Sequence, residues 1–325
     1  MLDLVEEKLS QHEAFRADVL AGLGQRLKTL PSRWLYDQRG SELFEEITRL
    51  DEYYLTRTET AILRAHAREM ADLLGEDAAL IEYGAGAAIK TEILIDALQR
   101  PRIYAPVDIA ADFLKHTMER IRDRFPELPT RPVIADFTAD FDIPADVPAR
   151  RRAAFFPGST MGNLRPPEAA ALMRRMRKHV GSQGTAIIGV DLRKSVETLI
   201  AAYDDERGVT AEFNLNLLVR INRELEGDFA LGAFAHEARW NESESAIEMR
   251  LVSLRPQVVS VAGRSFAFAQ DETIHTETCR KFEVQGFTEA ARRCGWRVDR
   301  IWSDPAQLFA VFGLSADTLA PRASA

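Results

Sequence analysis

The chain has 325 residues, about twice the usual length of one domain, so one large or two moderate domains are expected. Forty-two basic against fifty acidic residues give a net charge of -8 without a run of five like charges, which argues against nucleic acid as the main partner. Hydrophobic residues make up 46% and charged residues 28%, and no apolar stretch approaches the roughly 18 residues of a membrane span, so a soluble protein with a sizeable core is expected.

The N-terminus, MLDLVEEKLSQHEAFRADVL, is acidic and amphipathic and lacks the basic and apolar regions of a secretory signal, which predicts a cytoplasmic location. From about residue 59 an α/β rhythm begins. A helix with Ile62, Leu63, Met70, Leu73 and Leu74 on one face leads to a strand over 79–81, which glycines stop. A helix bearing Ile93, Leu94, Ala97 and Leu98 follows, then a strand over 103–107 and a helix bearing Phe113, Leu114, Met118 and Ile121. Strands over 133–135 and 153–156, a helix with Leu172, Met173, Met176 and Val180, and a strand over 186–190 continue the pattern. Strand, helix and strand repeated in this way predict a parallel sheet covered on both faces.

After Asp191 the rhythm breaks for roughly 90 residues. Helical sequence around 196–203 opens this stretch, Ile247, Met249 and Leu251 alternate as on a half-buried strand, and QVVSV and SFAFA flank Ala262-Gly263-Arg264 as a hairpin. A helix, FTEAARRCGW, then precedes strands over 298–302 and 308–312 that complete the sheet, and the tail after Phe312 reads as frayed. The insert and the N-terminal segment are expected to pack together as a second lobe over the carboxyl ends of the strands, where open α/β sheets bind ligands. The boundaries are 57–194 plus 284–319 for the sheet domain and 8–56 plus 195–283 for the lobe. Cys279 and Cys294, separated by fourteen residues with no CxxC pair, suggest neither a disulfide framework nor a zinc site. The six histidines are scattered, so metal catalysis has no support in the sequence.

Chemistry enters at the segment 79–90, ALIEYGAGAAIK, a strand running into a glycine turn and a helix. A dinucleotide-binding loop needs a third glycine where Ile89 stands, which disfavours a nicotinamide oxidoreductase. The alternative is the E-x-G-x-G loop of S-adenosylmethionine enzymes. Asp108 at the second strand end is placed for ribose hydroxyls, and Asp136-Phe137 at the third is placed for the adenine amino group and ring. Glu82, Asp108 and Asp136 thus end successive strands. Each of them alone is also explained as a cap on the segment that follows.

Longer blocks carry a family resemblance. Trp34-Leu35-Tyr36-Asp37 followed by GSELFEEIT, then EYYLTRTE over 52–59, FPGSTMGNL over 156–164, Ala202-Tyr203-Asp204-Asp205, Phe213-Asn214, His275-Thr276-Glu277 and Trp302-Ser303-Asp304-Pro305 together resemble the L-histidine Nα-methyltransferases of ergothioneine biosynthesis. The resemblance runs from about Leu30 to Phe312. It implies a Rossmann-like class I methyltransferase domain with a substrate-binding lobe, and trimethylation of the histidine α-amine by S-adenosyl-L-methionine to give hercynine, with no metal. By the resemblance, Asn163 and Tyr203 hold the substrate carboxylate, an amide and a phenol donor suited to it. Tyr53 lies near the amine, so that Tyr53 and Asn163 are the candidate catalytic pair. Phe44 and Met249 line the substrate pocket, Glu277 binds the imidazole, and Gly158 and Ser159 lie close to both ligands. Tyr36, Gly84, Lys90, Asp108, Asp136, Phe137 and Ser159 match positions that bind the cofactor.

One position departs from the family pattern. Where the histidine enzymes usually carry a serine two residues past the glutamate, this chain has Cys279, and a thiol is a weak donor and acceptor. The departure keeps open an Nα-methyltransferase acting on another amino acid; a second alternative is a non-catalytic S-adenosylmethionine-binding protein, against which the intact Tyr53, Asn163, Tyr203 and Glu277 argue. The sequence leaves the oligomeric state open, monomer included.

Overall fold

The computed structural model describes residues 2–86, 89–109 and 111–317. Ala87 and Ala88 of the glycine turn and the last residues of the tail lie outside the described residues. The chain forms two compact units, Met1–Tyr54 with Lys194–Arg280 and Leu55–Arg193 with Lys281–Ala325.

The second unit is built on a seven-stranded sheet. Its strands are β1 (Ala79–Tyr83), β2 (Ile103–Asp108), β3 (Val133–Ile134), β4 (Arg152–Phe156), β5 (Thr185–Asp191), β6 (Trp296–Ser303) and β7 (Phe309–Ala316). Their spatial order is 3-2-1-4-5-7-6, with β7 alone running against the others. The chain moves outward from β1 in one direction through β2 and β3 and in the other through β4 and β5, so the β1 and β4 ends flank the switch point where open sheets bind ligands. Every residue of β1 is buried, the signature of a central strand covered on both faces. Leu172, Met173, Met176, Phe287 and Ala291 pack with Ile81 and Tyr83 on one face. Ile62, Leu63, Leu94, Met118 and Ile121 pack with Leu80 and Tyr104 on the other. This is the α/β, doubly wound architecture that the sequence pattern predicts.

Two elements differ from the sequence reading. Trp296, wholly buried with Nε1 donating to Met173 O at 2.9 Å, starts β6, so the preceding helix ends at Arg293. Residues 313–316 are not frayed, because Gly313, Leu314 and Ser315 pair with Ile187, Ala186 and Thr185 of β5 and Leu314 is fully buried. Of the tail, only the residues after Asp317 lie outside the described residues.

The first unit holds a four-stranded sheet in the order Lys28–Thr29, Thr273–Arg280, Ala246–Ser253, Phe234–Asn241. The expected hairpin is present, with Gln257–Val261 paired antiparallel to Arg264–Phe268 across Ala262-Gly263. Helix Val209–Glu224 contacts two of the sheet strands and helix Gln38–Ile47, carrying Phe213, Leu217, Leu218 and Ile221 as its buried residues. Among the described residues no helix is long and apolar enough to cross a membrane.

Candidate active site

In the second unit the chemistry-bearing residues gather at the carboxyl ends of β1 to β4. Gly84 has φ of +73° and donates its N–H to Val107 O at 2.8 Å, which turns the chain sharply off β1. A Cβ added to Gly84 would lie 3.3 Å from the Phe137 ring, whereas one added to Gly86 would meet nothing within 4 Å. The turn is therefore closed toward Phe137 and open above Gly86, which Thr117 steadies by donating to its carbonyl at 3.0 Å. Phe137 is half-buried and packs edge-on against Phe156 at 5.6 Å. Asp108, half-buried, ends β2 opposite Ile134.

The other strand-end acids behave differently. Glu82 is an interior residue: alternation along β1 places it on the Leu80 face, where Thr91 donates to it at 2.7 and 2.8 Å and the Tyr104 hydroxyl also donates. Burial pushes its carboxyl up to about 7, against the lowering effect of the Tyr104 and Thr91 hydrogen bonds. Asp136 Oδ1 accepts from Thr138 N at 2.8 Å and from Thr138 Oγ1 at 2.5 Å, a local cap on the turn after β3.

The GSTMGN turn follows β4. Gly158 has φ of +85° and Ser159 of +57°. The Ser159 hydroxyl, in a residue only 6% exposed, accepts from Asp191 N at 2.9 Å and so ties the turn to the end of β5. Asn163 closes the 3-10 turn Thr160–Asn163 and is half-buried. Lys90 pairs with Glu59 at 2.5 Å, and Glu59 also accepts from Gly158 N at 2.9 and 3.0 Å.

The first unit carries the remaining candidates. Asp37 caps helix Gln38–Ile47 through Gly40 N at 2.8 Å and is held in turn by Asn216 at 2.7 Å and Arg223 at 2.8 Å. This fixes Tyr36 and Phe44 beside helix Val209–Glu224. Their rings meet Phe213 at 5.4 and 6.0 Å and each other at 5.5 Å, Phe44 meets Tyr53 at 6.1 Å, and Tyr53 meets Tyr203 at 6.1 Å. Tyr203 is held by its backbone: its carbonyl accepts from His236 Nε2 at 2.8 Å, so the neutral imidazole presents Nδ1 to the Asn214 amide at 2.9 Å. Burial lowers the His236 pKa, the Tyr203 carbonyl opposing it. On the sheet, Met249 sits opposite Glu277, and a bulge between His275 and Glu277 sets the register. The Cys279 thiol donates to Glu277 Oε2 at 3.4 Å, and both residues are buried. Tyr36 is partly exposed, yet its hydroxyl pKa is raised well above the ordinary value, first by desolvation and then by the charges of Glu277, Tyr53 and Cys279.

Residues 15–316 match the histidine-specific, S-adenosylmethionine-dependent methyltransferases. The chain belongs to this family. It is 39% identical over 312 residues to the histidine N-alpha-methyltransferase of Mycolicibacterium smegmatis, covering 94% of this chain and 95% of that one. Identity to the corresponding Mycobacterium tuberculosis enzyme is 40% over 310 residues, 94% of each chain. Ergothioneine biosynthesis protein 1 of Neurospora crassa is 31% identical over 209 residues, 62% of this chain and 24% of that protein.

A methyltransferase of this family must accommodate S-adenosylmethionine, and the second unit fits it on its own geometry: an open glycine turn at the switch point, a half-buried ring beside Gly84, and Asp108 at the neighbouring strand end. Among the described residues no group of three or more His, Cys, Asp or Glu could hold a metal ion. The sequence reading gave no role to Glu59, Phe213, Asn214 or His236. Phe213 and Asn214 lie within a recognised block, but nothing in their spacing shows that one meets two site rings and the other orients a histidine.

Proposed function

We propose that this methyltransferase transfers three methyl groups in turn to the α-amine of L-histidine, giving hercynine in the first step of ergothioneine biosynthesis, as a cytoplasmic enzyme. The observation that carries the reading is the ring cluster of Tyr36, Phe44, Tyr53 and Tyr203 in the first unit of a chain that belongs to the histidine-specific methyltransferases. A phenol suited to an amine, Tyr53, lies between the rings of Phe44 and Tyr203, and an acid suited to an imidazole, Glu277, accepts from the Cys279 thiol. In this reading Tyr203 and Asn163 take the substrate carboxylate, Glu277 with Cys279 takes the imidazole, and Met249, Phe44 and Gly158 bound the pocket. Tyr36, Gly84, Lys90, Asp108, Asp136, Phe137 and Ser159 serve the cofactor.

S-adenosylmethionine supplies an already activated sulfonium methyl, so the chain's task is positioning rather than activation. An α-amine has a reference pKa near 8 in a peptide and is mostly protonated at neutral pH, so proton loss precedes each transfer. Tyr53 and Asn163 orient the amine, directly or through water, the proton passes to solvent, and a classical general base is not evident. The aromatic walls suit a nitrogen that becomes a quaternary ammonium, because ring faces attract such a cation.

Mass spectrometry of the purified protein with S-adenosylmethionine and histidine, beside a mixture of the other amino acids, tests this. Histidine gaining 3 methyl groups, about 42 mass units, is the expected result. The Cys279 thiol on Glu277 favours one second reading, an Nα-methyltransferase for a different amino acid. Methylation of another amino acid with histidine untouched would establish that reading instead.

A further inference from the structure

Glu59 has no part in the reading above, and three observations single it out. It is 1% exposed, a position where a carboxylate is costly unless paired. Its oxygens are engaged by the Lys90 ammonium at 2.5 Å and by the Gly158 N–H at 2.9 and 3.0 Å. The sheet is also cut back to admit it, since a Cβ on Gly189 of β5 would come within 2.0 Å of Glu59 Oε1. One buried anion thus joins helix Tyr54–Leu74, helix Ile89–Ala97, the turn after β4 and the face of β5. Within the pair Lys90 keeps 19% of its side chain exposed and Glu59 only 1%, so the cation is the accessible member.

We infer that Glu59 is the positioning residue that fixes Lys90 and the Gly158 turn for the amino-acid carboxylate of S-adenosylmethionine. The inference rests on the assignment of Lys90 to the cofactor. That carboxylate is the cofactor's only anion, and the ammonium is the charge that matches it. A lysine side chain has a flexible four-carbon stem, and its freedom is lost whenever it must meet a ligand. Glu59 removes that freedom in advance by holding the ammonium from inside the fold. Its bonds to Gly158 N fix the neighbouring turn by the same carboxylate, so the two features are set together.

The test uses two ligands that share the adenosine and sulfur but differ in the carboxylate: S-adenosylhomocysteine, which has it, and 5′-methylthioadenosine, which does not. Affinities are measured by calorimetry on the full chain carrying Glu59→Gln, Lys90→Met or both. Glu59→Gln is expected to weaken S-adenosylhomocysteine about 10-fold or more, the scale of a hydrogen bond to a charged group, and methylthioadenosine by less than about 3-fold. The double variant is expected to lose little beyond Lys90→Met alone. Equal weakening of both ligands, or additive losses, would reduce Glu59 to a structural residue and overturn the inference. Loss with Lys90→Met but not with Glu59→Gln would overturn the inference and leave the cofactor assignment standing. Loss with Glu59→Gln but not with Lys90→Met would remove both. Should Glu59→Gln fail to fold, Glu59→Asp keeps the charge but withdraws it by one methylene, and the same selective loss is required of it.

Discussion

Glu82 offers a direct test of which strand-end acids face inward. In the open chain its carboxyl titrates near 4.5, and in the fold it is pushed up to about 7 by burial, with Tyr104 and Thr91 donating to it. Below pH 4.5 both states hold the proton and folding carries no penalty. Between 4.5 and 7 the folded state retains a proton that the unfolded chain releases, so stability falls as pH rises, levelling off above about 7. The interval amounts to about 3 kcal/mol in all, of which about 2 to 3 kcal/mol falls between pH 5 and 8. Glu82→Gln cannot ionise, and the Thr91 and Tyr104 hydroxyls can each reorient to accept from its amide. Denaturant unfolding of both proteins at pH 5, 6, 7 and 8 should therefore show the variant gaining on the parent by about that amount as pH rises. A constant difference across the range would mean that Glu82 is ionised and hydrated like a ligand-facing acid, and the argument from burial would fail.

Other expectations follow from the same geometry. Tyr53→Phe should bind histidine more weakly or stall at the mono- or dimethyl product; unchanged time courses for all three products would remove its role at the amine. Cys279→Ser replaces a weak donor on Glu277 with a hydroxyl and should tighten histidine by about fivefold in calorimetry, the scale of one neutral hydrogen bond; weaker binding would show that the thiol is fitted to its ligand. Lys281→Met removes the 2.7 Å partner of Asp191, both side chains at most 1% exposed, and should lower stability by about 3–5 kcal/mol; a loss below about 1 kcal/mol would mean that the pair is not a buried charge contact. Asp37→Ala should cost about 1–2 kcal/mol. Burial raises the Asp37 pKa, but bonds from Arg223, Gly40 N and Asn216 outweigh it, so the contribution is present at neutral pH and lost as pH falls through its lowered value. The gap between the two melting curves should close in acid, and a gap independent of pH would contradict that origin.

What was legible in the sequence was local periodicity. The strands of the sheet announced themselves as short apolar runs, and the insert did so by breaking the rhythm, because a central parallel strand must be apolar on both faces and a helix must bury a stripe. The end of β7 was missed because Gly313, Ser315 and Ala316 have weak strand character. Gly313 and Ser315 are held there by pairing to β5, an interaction between residues about 130 positions apart that no local window contains, and Ala316 by pairing to Trp296 of β6.

The three strand-end acids mark the limit of reading a site by position. Glu82, Asp108 and Asp136 look alike in the sequence, one acid per strand end, yet they have three different settings. Glu82 is turned inward by the alternation of β1 and meets Tyr104, a residue of the next strand. Asp136 spends an oxygen on its own turn, and Asp108 ends its strand only half-buried. Strand-end placement follows from the fold, but which way a side chain points depends on register and on which neighbours carry hydroxyls. Glu59 is the converse case. It stands in a helix with nothing in its spacing to distinguish it from a solvated acid, and it becomes significant only because Gly189, 130 residues away, leaves room for its carboxylate. A glycine in the middle of a buried strand, usually read as a weakness, was the signal that could have pointed to it.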